Sequence, residues 1–289
     1  MKRAWVLNLE SDLELSGQPI DPLAALRTRP ELVRGLVGTL VPQGDVVLGS
    51  RSDRADGLEG RAFSPTPRAR ALLASAGARP ALAPDPAILT RVASRAFSAS
   101  LGLPFASARL ATSLDDVLGA VRHAPPSGSW LIRRVFGFAG KGRRLVRAGE
   151  LGAPDRAFVA RALAHGAVLV EPWVEVELDV AIHGFLAPAG DRLTLGEPAI
   201  ADVGPGGVWR ASRRAHGELD RREVTALATE ARRVGDALAA AGFFGPFGLD
   251  GFRYREVGET RFVARCDLNP RYTMGWAIGM GDRRPDLDG

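Results

Sequence analysis

Short apolar runs alternate with capped helical stretches through the first third of this chain, and that alternation leaves few folds open. Ala4 to Leu9 (AWVLNL) and Asp45 to Leu48 (DVVL) read as buried strands. Between them Asp21-Pro22 opens a helix, since an Asp cap followed by Pro at the first helical position is pre-set for that geometry. Pro67 to Ala76 reads as a second helix closed by Gly77, and Asp85-Pro86 opens a third that runs toward Ser100. Strands and helices taken in turn make an open α/β lobe. No G-x-G-x-x-G follows a strand here, so the lobe carries no dinucleotide fingerprint.

At 289 residues, 46% hydrophobic and 25% charged, the chain can bury a proper core, and its composition excludes wholesale disorder. No apolar run approaches the roughly 20 residues that span a bilayer. The apolar stretch after Lys2 and Arg3 is broken at once by Glu10 and Asp12, unlike a secretory signal, so a soluble, cytoplasmic protein is expected. Cys266 stands alone, which excludes an internal disulfide. His123, His165, His183 and His216 are scattered without the short spacing of a zinc site. The net charge of +5 invites a nucleic-acid reading, but no block of five basic residues and no aromatic-basic repeat supports it. Of the 38 basic residues only Lys2 and Lys141 are lysine, so charge here reflects an arginine-rich coding bias more than a partner. Against that bias, Lys141 in a glycine-rich stretch stands out.

From Pro104 the texture changes. Ser113 caps a short helix, with Asp116 in the capping-box position, and a Pro/Gly/Ser spacer at Ala124 to Ser129 marks where a new lobe begins. Trp130 to Val135 and Arg144 to Val146 read as hairpin arms around a glycine-rich tip, Phe136 to Arg143. Val168 to Glu171 is a strand interrupted at Pro172-Trp173, and it resumes at Val176 to Phe185. The clearest helix is Asp220 to Ala241, where Val224, Leu227, Ala231, Val234 and Leu238 share one face. Asp220 and Glu223 form its capping box and Gly242 ends it. Phe262 to Cys266 is a strand that delivers Asp267 and Asn269, and after Gly275 only a short tail is expected.

Three constellations carry chemistry. In LIRRVFGFAGKGRR, Gly137, Gly140 and Gly142 let backbone N–H groups approach an anion, while Arg133, Arg134, Lys141, Arg143 and Arg144 supply charge that suits phosphate. The same residues also fit a surface hairpin with solvated arginines. In VLVEPWVEVELDV, a strand broken by Pro172 leaves backbone groups at Trp173 and Val174 to present the edges an adenine ring reads. Glu175 and Glu177 can accept both hydroxyls of a ribose. A strand edge kept soluble by alternating charge is the alternative. In GPFGLDGFRY and CDLNPRYTMG, Asp267 and Asn269 lie two apart and face one way. With Asp250 on a neighbouring strand they make an all-oxygen set suited to magnesium, or else an Asp/Asn-Pro turn.

In this order the motifs resemble the ATP-grasp family, over about Arg91 to Gly275 and more loosely over the first ninety residues. The resemblance implies an α/β (α+β) fold: a Rossmann-like lobe at 1–90, then an ATP-grasp domain at 91–289 that clamps the nucleotide. Residues 91–175 would form the glycine-loop and hinge part, and 176–289 the metal and substrate part. The hinge is similar to the D-alanine-D-alanine ligase branch. There Glu171 would accept the adenine amine, Val174 beside Trp173 would offer its backbone, and Glu177 would hold the ribose. The hinge is one residue shorter, so Glu175 remains a rival. Asp250 with Asp267-Leu268-Asn269 matches the family's metal motif, with Asp for the usual Glu. Arg95 and Arg133 occupy the places of two phosphate-binding lysines, and arginine binds phosphate with a different geometry. Asn269-Pro270-Arg271 is similar to the N-P-R of carbamoyl-phosphate synthetase, where the arginine faces the carboxyl or acyl phosphate. Gly248 stands where the ligase branch often has an arginine, which leaves that charge to Arg271, Arg210 or Arg213.

The activity so implied is ATP-dependent ligation of a carboxylate to an amine, or to a thiol, through an acyl phosphate, with ATP and Mg2+ (or Mn2+) as cofactors. Its partners would be small-molecule carboxylates and amines lying against Thr194 to Arg214; a homodimer is left open, and neither membrane nor nucleic acid is involved. A non-catalytic or kinase-like ATP-binding protein, and more distantly a basic nucleic-acid binder, are the other readings.

Overall fold

The computed structural model describes residues 2–137, 142–149, 151–189, 192–204 and 208–287. The first sheet is built from β1 (Arg3–Val6), followed by the helices α1 (Ser11–Leu15), α2 (Ala24–Thr28) and α3 (Pro30–Thr39). It continues with β2 (Val46–Val47), β3 (Glu59–Ala62), α4 (Pro67–Ser75) and β4 (Arg79–Pro80). The strands are parallel in the order β2-β1-β3-β4. Alternation along β1 sends Ala4 and Val6 into one apolar layer with Leu72 and Leu73 of α4, and Trp5 into another with Leu36 of α3. The helix expected from Asp21 is two helices. Asp21 instead caps a turn by accepting from the Leu23 N–H, and Pro30 ends α2, because proline disfavours a helical residue before it.

The third expected helix is also divided, into α5 (Pro86–Ala93) and α6 (Arg95–Ser100). Ser94 is extended (ψ 136°), and its side chain caps the second piece. The break places Arg95 at the first position of a new helix, whose backbone N–H donates to the Val135 carbonyl. A second sheet follows: β5 (Arg109–Ala111), α7 (Leu114–Val121), β6 (Ser129–Arg134), β7 (Arg143–Arg147), α8 (Ala153–Leu163) and β8 (Val168–Pro172). It is antiparallel in the order β5-β8-β6-β7. It therefore begins before the Pro/Gly/Ser spacer. Ile132, Val168 and Val170 pack on α7 and α8, so Arg133, Leu169 and Glu171 turn to the opposite face.

The largest sheet comprises β9 (Glu175–Leu186), β10 (Leu193–Leu195), β11 (Ala199–Gly204) and β12 (Val208–Arg214), and then, after α9 (Arg221–Ala240), β13 (Gly245–Glu256) and β14 (Glu259–Asn269). Its order is β12-β11-β9-β13-β14, with β10 also on β9. Leu227, Ala231, Val234 and Leu238 of the α9 stripe cover one face, against Val180, Ile182, Leu249 and Leu268, whereas Val224, in the first turn, is exposed. Both ends of α9 follow the sequence: Asp220 and Glu223 exchange capping bonds, and Gly242 leaves with φ 83°. Because Leu249 and Leu268 face α9, Asp250 and Asp267 must face the other way, toward the second sheet. The tail after Gly275 is a helix, α10 (Trp276–Met280), and Trp276 is fully buried. No helix among the described residues is long and apolar enough to cross a membrane.

Arg265 fastens α6 to this sheet. Its guanidinium reaches the Ser98 and Gly102 carbonyls at 2.8 and 2.7 Å and Glu230 of α9 at 2.6 Å. Arg265→Leu strands those acceptors, and a loss of about 3 kcal/mol in unfolding free energy is expected. It should appear as a lower urea midpoint at unchanged m value, partly recovered by Arg265→Lys.

His183 lies buried beneath α10, where Gly279 has no side chain because a Cβ would sit 2.3 Å from the ring Nδ1. Burial pulls its pKa down to about 4, below the unfolded 6.5, so the folded state keeps the ring neutral. This contribution to stability is whole above pH 6.5 and is lost as pH falls toward 4. Between pH 7.5 and 5 the wild type should lose roughly 2 kcal/mol more than His183→Gln, compared by urea titration at both pH values.

Candidate functional site

The Asp-bearing face of the large sheet and the Arg-bearing face of the second sheet look at each other across a cleft. At its centre is a cavity of about 320 Å³, with Arg95, Arg133, Gly137 and Gly142 on one side and Asp250, Asp267 and Asn269 on the other. Asp250 and Asp267 are direct cross-strand partners, and Asn269 Nδ2 donates to Asp250 Oδ2 at 2.9 Å. The spacing read from the sequence thus brings all three together. Gly140 and Lys141 lie outside the described residues.

The two carboxyls differ. Burial, reinforced by the charge of Asp267, raises the Asp250 pKa to about 7, against the opposing pull of Asn269 and Arg271. Burial acts upward on Asp267 too, but Arg95 and Arg133 outweigh it and hold that carboxyl below the usual range. Arg95 Nη2 is 2.8 Å from Asp267, and Arg133 Nη1 is 3.7 Å from it. Arg133 also approaches Glu171 at 2.6 Å through Nε, whose N–H is not aimed along the contact. Arg95 Nε and Arg133 Nε are buried donors without a hydrogen-bond partner among the described residues. Two guanidinium groups lining one cavity fit an anion such as phosphate.

The acids fit a hard cation. Among the described residues no three His, Cys, Asp or Glu side chains gather into a metal cage. Magnesium needs none, since it is held by one or two carboxylates with waters and phosphates completing its shell. A half-buried acidic pair in which one carboxyl leans toward protonation is the electrostatic condition such a cation relieves.

The hinge differs from expectation. Neither backbone group of Trp173 is free: its N–H donates to the Ser129 carbonyl at 2.9 Å, and its carbonyl accepts from the Ser127 hydroxyl at 2.5 Å. The spacer that reads as a linker runs alongside the hinge and takes up its polar groups. Val174 packs among Phe105, Phe252, Tyr254 and Val263. Glu171 is buried against Arg133, and Glu177 is exposed and paired with Arg255 at 2.6 Å. Glu175 is exposed as well. None of these hinge residues lines the central cavity. On the hinge side, Pro104, Leu169 and Cys266 close on a gap of only about 10 Å³, too small for a purine.

Arg271 lies where the central cavity meets a second one of about 180 Å³. Asp12 of α1 grips it through two contacts, 2.9 and 3.3 Å, and Phe63 lies under its guanidinium at 5.4 Å. Arg210 and Arg213 line neither cavity, and Arg213 pairs instead with Glu218. Sequence reasoning missed Asp179, which lines the central cavity and adds its charge to that on Asp250; burial raises its own pKa. The signal was present, because Asp179, Ala181 and His183 alternate along β9 onto the cleft face.

No family model matches the chain, and no curated protein matches it in sequence. Solved structures do match. D-alanyl-alanine synthetase A of Vibrio cholerae superimposes with a TM-score of 0.58 at 14% identity, over 100% of this chain and 94% of that one. Biotin carboxylase of Campylobacter jejuni, in a complex with β-γ-ATP, gives 0.59 at 11% identity over 97% and 68%. Pyruvate carboxylase of Rhizobium etli gives 0.56 at 16% identity over 78% of this chain, which spans only 20% of that enzyme. Identities this low speak to fold alone, and with a glycine-bearing hairpin set over an acid-bearing sheet the chain has the ATP-grasp fold.

Proposed function

We propose that the chain is an ATP-dependent ligase that joins a small carboxylate to an amine, or to a thiol, by way of an acyl phosphate. The observation that carries this reading is the confrontation, across one cavity, of Asp250, Asp267 and Asn269 with the guanidinium groups of Arg95 and Arg133. Asp250 and Asp267, with the Asn269 amide, would hold magnesium or manganese, and the bound ion supplies charge neutralisation at the phosphate oxygens.

The chain's own residues do the rest. Arg95 and Arg133 hold phosphate oxygens, and Gly137 and Gly142 let the backbone come close; Gly140 and Lys141 belong to the same expectation. A carboxylate oxygen attacks the γ-phosphorus, the bond to the β-phosphate oxygen breaks, and ADP leaves. The amine then attacks the acyl carbon and loses a proton as phosphate departs. Arg271, at the meeting of the two cavities, is placed to bind charge on the transferred phosphoryl group. Closure over the cleft keeps water from the acyl phosphate.

A second reading, nucleotide binding without turnover, is favoured by one observation: both arginines are already tied to site carboxylates, Arg95 to Asp267 and Arg133 to Glu171. A melting experiment comes first. Saturating Mg-ATP should raise the melting temperature by about 5 °C, and Mg-GTP by less. Asp267→Ala should abolish the metal-dependent part while the protein still melts cooperatively. ADP release driven by a carboxylate and an amine then separates the two readings, and the absence of any shift with millimolar Mg-ATP would sink both.

A further inference from the structure

The second cavity is chemically unlike the first. Phe63 and Leu32 reach it from the first lobe, Met274 from the segment after β14, and Trp209 from β12. Its polar edge holds Arg271 where it opens toward Asp250 and Asn269, and Arg29 lines it as well. We infer that this cavity binds a carboxylate with a compact apolar body and no cationic group, and that Trp209, Phe63, Leu32 and Met274 determine that choice.

Size is the first argument. A dry cavity of roughly 150 Å³ accommodates benzene. At about 180 Å³, and open toward the central cavity, this one has room for a phenyl ring or a branched four- to five-carbon chain with its carboxyl group.

Charge is the second argument. Arg271 supplies a positive edge, and its grip by Asp12 and its place over Phe63 fix the direction in which that edge points. Among the described residues the cavity has one carboxyl, Asp250, and it lies on the wall shared with the metal site. An α-ammonium group would therefore lose its hydration with no acid of its own to pair with, which is strongly unfavourable in an apolar pocket. His183 lines the wall as a neutral ring and offers no compensating negative charge.

Orientation is the third argument. The wall common to both cavities includes Asn269, Arg271 and Asp250, so a carboxyl group held at Arg271 is the part of the molecule nearest the phosphate cavity. Thr273 Oγ1, buried at this wall without a hydrogen-bond partner among the described residues, is a donor for a neutral oxygen of the ligand.

The statement that the bound acid reacts rests on the ligase reading; the statement that it binds does not. The test is isothermal titration of the nucleotide-free protein with benzoate, 4-methylpentanoate, leucine, phenylalanine and succinate, followed by hydroxamate formation with Mg-ATP and hydroxylamine. Benzoate or 4-methylpentanoate should bind at least tenfold more tightly than leucine, phenylalanine or succinate. Leu32→Trp, which fills the cavity, should abolish that binding, and Trp209→Phe should retain most of it. Preference for an amino acid or a diacid, no binding by any acid, or binding untouched in a folded Leu32→Trp protein overturns the inference. Tight binding of the apolar acids without hydroxamate supports the cavity assignment and counts against the ligase alone.

Discussion

Two half-buried carboxylates set directly opposite each other on neighbouring strands govern this molecule. Cross-strand partners stand about 5 Å apart, and at an effective dielectric of about 20 two unit charges at that distance repel by roughly 3 kcal/mol. The single hydrogen bond from Asn269 to Asp250 contributes about 1 kcal/mol and cannot offset this. The fold answers in two ways: it brings Arg95 and Arg133 onto Asp267, and it lets Asp250 lean toward its protonated form. Much of the surrounding architecture serves that balance. The division of the helix at Ser94 puts Arg95 at a helix start, and alternation along β6 turns Arg133 toward the acids.

The same balance explains why arginine and lysine are not equivalent in these positions. A guanidinium can keep one edge on a carboxylate and still have another N–H to give, as Arg95 does with Nη2 on Asp267 and Nε without a partner among the described residues. An ammonium released from Asp267 would have to turn wholly toward an incoming phosphate. Arginine thus permits a shared arrangement in which acid, cation and anion meet, though the planar fork fixes the angle of approach.

The sequence made a large part of this visible, because the relevant signals were local. Capping pairs, the stripe of α9 and the hairpin arms depend on neighbours within a few positions, and alternation alone put Asp267 and Asn269 on one face. What escaped depends on contacts between distant segments. Whether Trp173 keeps free backbone groups is decided by Ser127 and Ser129, more than forty residues earlier. Asp179 is one acid in an alternating acidic strand, and only the pairing of β9 with β13 distinguishes it from its exposed neighbours Glu175 and Glu177. The partner of Arg271 is Asp12, at the far end of the chain, where no spacing rule reaches.

The segment after β14 is stitched to the first lobe. Tyr272 lies between Trp5 and Trp276, with ring centroids 5.6 and 5.0 Å away, and its N–H donates to the Phe63 carbonyl. Arg284 adds a bond to the Leu40 carbonyl, and Arg271 adds its grip on Asp12. First lobe and large sheet are consequently one jaw of a vise, bolted together through aromatic rings. Any widening of the narrow gap at Pro104, Leu169 and Cys266 would have to come from the other jaw, the sheet that carries the glycine hairpin.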